Sequence, residues 1–327
     1  MLFLHKFSVP LMKIPESLIK NYEKQQYKIV GKHRHSAVKT CLWTKKSLRS
    51  KGFCYKQKFY GIQSHRCLQV TPALFFCDNA CLYCWRNTEA TLREPMKKFG
   101  IDSPKEIIEE SVKAQRILLS GFPGHENLDK KKFQEALNPN QAAISLSGEP
   151  TLFPLLGELI EEFHRRKFTS FLVSNGLHPE VLEKIVLPTQ LYVSLEAPSK
   201  EIFRRLDRPL LKNAWNRFKK TLALLPSLET RKAIRLTAVK GFNMKNEKEF
   251  AKMIEKANPD FLEIKGYMFV GYSRQRLKIE NMPLHSDVMS FAEKINKHLN
   301  YSFAGESQES RVVLLSSGKK KLKIKSD

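Results

Sequence analysis

Cys77-Asp78-Asn79-Ala80-Cys81-Leu82-Tyr83-Cys84 is a C-x3-C-x2-C loop. Three thiolates at this spacing can hold three irons of a [4Fe–4S] cube and leave the fourth open. A cube ligated wholly by cysteine takes four. An open iron lets a cluster do chemistry as well as carry electrons. Just upstream, Arg66-Cys67-Leu68-Gln69-Val70-Thr71 reads as a short strand that Pro72 ends. The loop is therefore expected at the C-terminal end of a strand, which is where β/α barrels carry their chemistry.

Outward from this loop, strand-like runs alternate with amphipathic helical ones, an α/β pattern built from parallel βα units. Strands are expected at residues 144–147, 169–174, 191–195, 233–239 and 261–264, with helices at 211–225, 246–256 and 285–299. Ser103-Pro104-Lys105-Glu106 reads as a helix start, with serine as cap, proline at the first position and glutamate closing a capping box. Six strands suit a partial (β/α)6 barrel over residues 65–305. Residues 13–64 read as a helical and irregular N-terminal segment, and 306–327 as a C-terminal strand and basic tail. The apolar Met1-Leu2-Phe3-Leu4 is broken by His5, Lys6 and Pro10, and Met12 is an alternative start. No apolar run reaches the roughly 18 residues of a membrane span.

All six cysteines lie between Cys41 and Cys84, and the other three follow Cys41-x12-Cys54-x12-Cys67. This triad could ligate a second cluster, again with one site free. Structural zinc is the alternative, but only one Cys-x2-Cys step exists, with His65 as a conceivable fourth ligand. Disulfides fit poorly with a chain of this size that lacks a convincing secretory signal.

Several segments together resemble one family. The C-x3-C-x2-C loop, with Tyr83 before its last cysteine, is similar to that of the radical S-adenosylmethionine superfamily. Ser147-Gly148-Glu149-Pro150 resembles its Gly-Gly-Glu segment, with Ser147 in place of the first glycine. Lys32–Cys41 with Leu42-Trp43-Thr44, Cys54–Gly61, Arg66–Pro72 and Cys84-Trp85-Arg86 resemble the archaeal tRNA 4-demethylwyosine synthases. So do Leu262–Arg274 and Met282–His285. The resemblance covers about residues 32–301.

It implies two [4Fe–4S] clusters, one on Cys77, Cys81 and Cys84 and an auxiliary one on Cys41, Cys54 and Cys67. The first would bind S-adenosylmethionine, with Ser147, Gly148, Glu149, Ser174, Asn175 and Ser194 as cofactor contacts. It further implies a radical that takes hydrogen from the methyl group of N1-methylguanosine-37 in phenylalanine tRNA. Pyruvate then donates two carbons to close the tricyclic 4-demethylwyosine base. The auxiliary cluster would hold pyruvate, and Lys56, two residues after Cys54, is the candidate for a Schiff base with it. Lys39 is the reserve, and Glu263 and Lys265 are weaker site candidates. Eukaryotic members carry a flavodoxin-like domain, for which there is no room ahead of Cys41. An external electron donor, a cytoplasmic location and a monomer are therefore expected.

The net charge of +24 suits a polyanionic partner. Basic clusters occur at Lys45, Lys46, Arg49 and Lys51, at Arg204, Arg205 and Arg208, and at Arg274, Arg276 and Lys278. Each alone reads as a solvated face; as a set they favour RNA phosphates. Trp43, Tyr55 and Trp85 could stack an extruded base or simply fill the core. The Ser317–Lys325 tail, with five lysines, reads as a mobile arm that could touch RNA.

Overall fold

The computed structural model describes residues 10–324; the Met1–Leu4 stretch and Lys325 lie outside them. Ten strands form one sheet: β1 (Lys28–Val30), β2 (Ser36–Val38), β3 (Cys67–Thr71), β4 (Gln141–Ile144) and β5 (Thr169–Ser174), followed by β6 (Gln190–Ser194), β7 (Arg231–Ala238), β8 (Phe261–Gly266), β9 (Ser302–Ser307) and β10 (Val312–Ser316). From β3 to β8 the strands lie in chain order, each parallel to the one before. The antiparallel pair β1 and β2 extends one side, and β10 with β9 the other. β1 and β9 remain edges, so the sheet is an open, partial barrel. Six parallel strands are present as expected, but β4 runs over Gln141–Ile144 and shares only Ile144 with the expected 144–147.

Alternation along the strands sorts side chains to two faces. Leu68, Val70, Ile144, Leu172, Leu191, Val193, Ile234, Leu262 and Ile264 join the outer core. Helices cover it with amphipathic faces; Leu156–Arg165 buries Leu156, Leu159, Ile160 and Phe163, an i, i+3, i+4, i+7 stripe. The intervening residues face inward. There Phe171, Tyr192, Ala233, Phe261, Val312 and Leu314 form a second core with Tyr55, Phe59 and Tyr60. These last three belong to the short helix Tyr55–Tyr60, which plugs the barrel from its open side.

Ser103 caps helix Pro104–Leu119 as expected, its Oγ accepting the Glu106 N–H at 3.2 Å. The reciprocal half of the box is not made. Glu106 instead accepts the Lys32 N–H from the β1–β2 hairpin. That hairpin is also held by Glu110 at Gly31 and by Asp102 at His33.

The basic tail does not stand free within the described residues. Arg231 donates to the carbonyls of Lys321 and Leu322, and the Ile324 N–H donates to the Tyr60 carbonyl. Leu322 and Ile324 pack on the inner core. Their apolar side chains, placed between lysines, are what dock it. Among the described residues no helix is long and apolar enough to cross a membrane.

Candidate functional site

The C-x3-C-x2-C loop follows β3 and is pinned from three directions. Antiparallel hydrogen bonds join it to residues 206–210: Ala80 N–H to the Arg208 carbonyl, Leu82 N–H to the Leu206 carbonyl and Leu210 N–H to the Asp78 carbonyl. Arg276 donates to the carbonyls of Leu82, Cys84 and Arg86. Buried Arg86 ties back to Thr91 and to the Asn79 carbonyl. Its neighbours Arg274 and Lys278 suggest a surface cation, but Arg276 is turned into the loop instead. Asp207 accepts from the Tyr83 hydroxyl at 3.0 Å and lies 3.8 Å from the Cys81 sulfur. Its other oxygen has no partner, and burial raises its pKa well above the usual range.

The Ser147-Gly148-Glu149 turn after β4 packs directly on this loop. Gly148 has φ +74, and a Cβ there would lie 1.8 Å from the Ala73 carbonyl oxygen. The Glu149 N–H donates to the Phe76 carbonyl at 2.8 Å. The buried Glu149 carboxylate accepts from the Thr151 N–H (3.1 Å), Thr151 Oγ1 (2.6 Å), Ser174 Oγ (2.8 Å) and the Asn175 N–H (2.8 Å). Burial still raises its pKa against the pull of those bonds. Glu149 thus locks the β4 turn to the end of β5. Ser147 Oγ and Asn175 Nδ2 are shut away from solvent without partners, polar atoms free to meet a cofactor. Ser194 ends β6, beside Arg235 of β7 in register.

The other triad assembles from three elements: Cys41 before helix Leu42–Leu48, Cys54 before helix Tyr55–Tyr60, and Cys67 opening β3. A charge on Cys41 or Cys54 would raise the pKa of Cys67, as Cys84 and Cys77 do for Cys81, so each triad is a spatial group. Burial pushes Cys54 and Cys77 up to about 11, and Cys67 and Cys81 also rise. Thiols so placed become thiolates when a metal takes them. Three cysteines per group suit the chemistry of iron–sulfur ligation, although among the described residues no three such side chains are gathered closely enough to hold a single metal ion. Cys67 stands about 13 Å, the rise of a five-residue strand, from the end of β3 that leads to the other group.

Between them lies the inner face of the barrel. Lys56 is buried there, its Nζ 4.3 Å from the Tyr192 ring centroid and 4.6 Å from that of Phe171. Burial lowers its pKa. Glu263 accepts the hydroxyls of Tyr60 (2.6 Å), Tyr192 (3.0 Å) and Tyr55 (3.1 Å). Lys265 donates to the Ser310 carbonyl at 2.9 Å, and burial lowers its pKa to about 8. Glu263 and Lys265 are therefore not a salt-bridged pair. Tyr55, committed to Glu263, is not free to stack a base, whereas Trp85 is 40% exposed beside the loop. Lys39 lies elsewhere, over the Tyr27 ring at 4.6 Å. Asp207, Tyr60 and Tyr192 gave no signal in the sequence, because their partners are distant in the chain, and Arg235 gave none because only the fold shows what is left unpaired around it.

The chain matches the model of the Radical SAM superfamily over residues 72–255, and that of Wyosine base formation over 256–317. It is 52% identical over 307 residues to the S-adenosyl-L-methionine-dependent tRNA 4-demethylwyosine synthase of Pyrococcus abyssi, covering 92% of this chain and 89% of that one. The chain belongs to the tRNA 4-demethylwyosine synthase family. The Methanocaldococcus jannaschii member is 39% identical, with 95% and 99% of the two chains covered. A solved structure of TYW1 with a lysine–pyruvate adduct bound is 38% identical, with a TM-score of 0.85 over 96% of this chain and 99% of that one. The family works with S-adenosylmethionine and a [4Fe–4S] cluster. The loop cysteines and the partnerless Ser147 and Asn175 are the groups that fit them.

Proposed function

We propose that this enzyme is a pyruvate-dependent carbon–carbon lyase acting on the N1-methylguanosine beside the anticodon of phenylalanine tRNA. It breaks one carbon–carbon bond of pyruvate, joins the two-carbon part to that base with release of the third carbon as a one-carbon fragment, and closes the third ring of 4-demethylwyosine. The observation that carries this reading is Lys56, a buried amine with its Nζ against Phe171 and Tyr192 inside the barrel and beside Cys54. A similar protein has been solved with a lysine–pyruvate adduct.

Cys77, Cys81 and Cys84 would hold the cluster that binds S-adenosylmethionine, and Cys41, Cys54 and Cys67 a second [4Fe–4S] cluster. When bound, the cofactor and its cluster supply the radical that abstracts hydrogen from the methyl group. The chain's own residues do the rest. Ser147, Gly148, Asn175 and Ser194 orient the cofactor, while Glu149 fixes the two turns that present them. Lys56 in its neutral form attacks the keto carbon of pyruvate; the C–N bond forms and water leaves, giving an imine that keeps the carboxylate. The aromatic rings around Nζ exclude water from that step. Cations outside the barrel take the tRNA phosphates, and an external donor supplies electrons.

The test uses protein with both clusters reconstituted anaerobically, N1-methylguanosine tRNA, S-adenosylmethionine, a strong reductant and isotopically labelled pyruvate. A tricyclic nucleoside carrying two labelled carbons is expected by mass spectrometry. Lys56→Met should lose the label by at least about 100-fold while still releasing 5′-deoxyadenosine. Labelled product from Lys56→Met at the wild-type rate would sink the role given to that lysine.

A further inference from the structure

Arg235 lies on the inner face of β7, since its neighbours Ile234 and Leu236 point to the outer core. In register it sits between Ser194 of β6 and Glu263 of β8. Among the described residues its guanidinium makes no hydrogen bond and no ion pair, and its Nε is shut away from solvent with no partner. Two acids are near enough to act on its charge, Glu263 and Glu196. Both are already engaged by other donors. Glu263 is occupied by three tyrosine hydroxyls, and Glu196 takes the N–H and hydroxyl of Thr237.

Arg235 is half-buried, and although Glu263 and Glu196 lie near enough to offset its charge, neither takes its donors; its planar fork matches a carboxylate with two parallel bonds. Lys56 and Lys265 both feel its positive charge, so the three cations share one chamber. Lys265 is held by the Ser310 carbonyl and Lys56 by aromatic faces, which leaves Arg235 as the cation with free, directed donors. We infer that Arg235 is the carboxylate clamp of the barrel, binding the carboxylate of pyruvate while Lys56 meets its keto carbon. This rests on the pyruvate reading above. The methionine carboxylate of S-adenosylmethionine has the same chemistry, and the test separates the two.

The measurement is borohydride trapping of radiolabelled pyruvate on the cluster-loaded enzyme, alongside equilibrium binding of S-adenosylmethionine. Arg235→Gln should raise the pyruvate concentration needed for half-maximal trapping by about 10- to 100-fold, with iron content and S-adenosylmethionine affinity unchanged. Arg235→Lys should recover part of the loss. Pyruvamide, which lacks the charge, should be trapped at least about tenfold less readily than pyruvate by the wild type, and the gap should close in Arg235→Gln. If Arg235→Gln fails to load clusters, Arg235→Lys and the pyruvate-to-pyruvamide ratio decide. Unchanged pyruvate dependence would overturn the inference. So would weakened S-adenosylmethionine binding with pyruvate unaffected, which would assign Arg235 to the cofactor. A wild type that traps no pyruvate at all would instead defeat the proposed function.

Discussion

Gly148 shows how much a single residue decides at this site. Its φ of +74 is a conformation that a side chain resists, and the neighbouring backbone leaves no room for one. Ala73 and Phe76 belong to the segment that leads into Cys77, so an added methyl would push the turn off the cysteine loop. Gly148→Ala should cost at least about 2 kcal/mol, combining backbone strain with overpacking. It should also weaken S-adenosylmethionine binding, because Ser147 moves with the turn. Thermal melts and cofactor titration of the cluster-loaded variant check both, and wild-type values in each would refute the account. At this scale the cysteine spacing and the Gly-Glu-Pro turn are legible in sequence because their residues are neighbours in the chain. Arg235 and Asp207 are not. Their importance comes from what the fold leaves unpaired around them, and a lone arginine in so basic a chain reads as surface charge.

Among the elements, the β1–β2 hairpin had no signature, since strands of three residues carry too little periodicity to see. β9, with no fully buried residue, was equally silent. The parallel strands and their helices were readable because each repeats its apolar pattern over a longer run. The hairpin nonetheless holds the entry to the cysteine loop through His35. The Asp102 N–H can only donate, so Nε2 accepts it and the ring proton sits on Nδ1, donating to the Pro72 carbonyl at 2.8 Å. Burial lowers the His35 pKa to about 4. A histidine whose folded pKa lies below its unfolded value of about 6.5 takes its proton more readily when unfolded. Its contribution is complete above that unfolded value and fades as pH falls toward the folded one. From pH 7 to 5 His35 should therefore withdraw about 2 kcal/mol. Asp102, its carboxyl pushed upward by burial, acts in the opposite sense, so the comparison needed is with His35→Gln. Urea unfolding should show a steeper acid loss in the wild type than in the variant. Equal slopes would remove His35 as the cause.

For the molecule as a whole, the sheet order turns cysteine spacing into a division of labour. Cys67 opens β3 and the C-x3-C-x2-C loop follows its other end, so the two cysteine groups are reached from opposite ends of one strand. Cys41 and Cys54 each stand just before a short helix, Leu42–Leu48 and Tyr55–Tyr60. The other group depends on none of these; residues 206–210 and Arg276 hold its loop. Loss of one triad should therefore spare the other. Cys67→Ala, reconstituted anaerobically, should fall from about eight irons per chain to about four. It should still cleave S-adenosylmethionine to 5′-deoxyadenosine, because the loop, its turn and the orphaned Ser147 and Asn175 are untouched. It should place no pyruvate label in tRNA, because the chamber has lost one wall. Iron analysis, nucleoside mass spectrometry and the 5′-deoxyadenosine yield read the three consequences separately. Full iron in Cys67→Ala would mean that the first triad is not a cluster site. Loss of all iron would mean that the two sites fold as one.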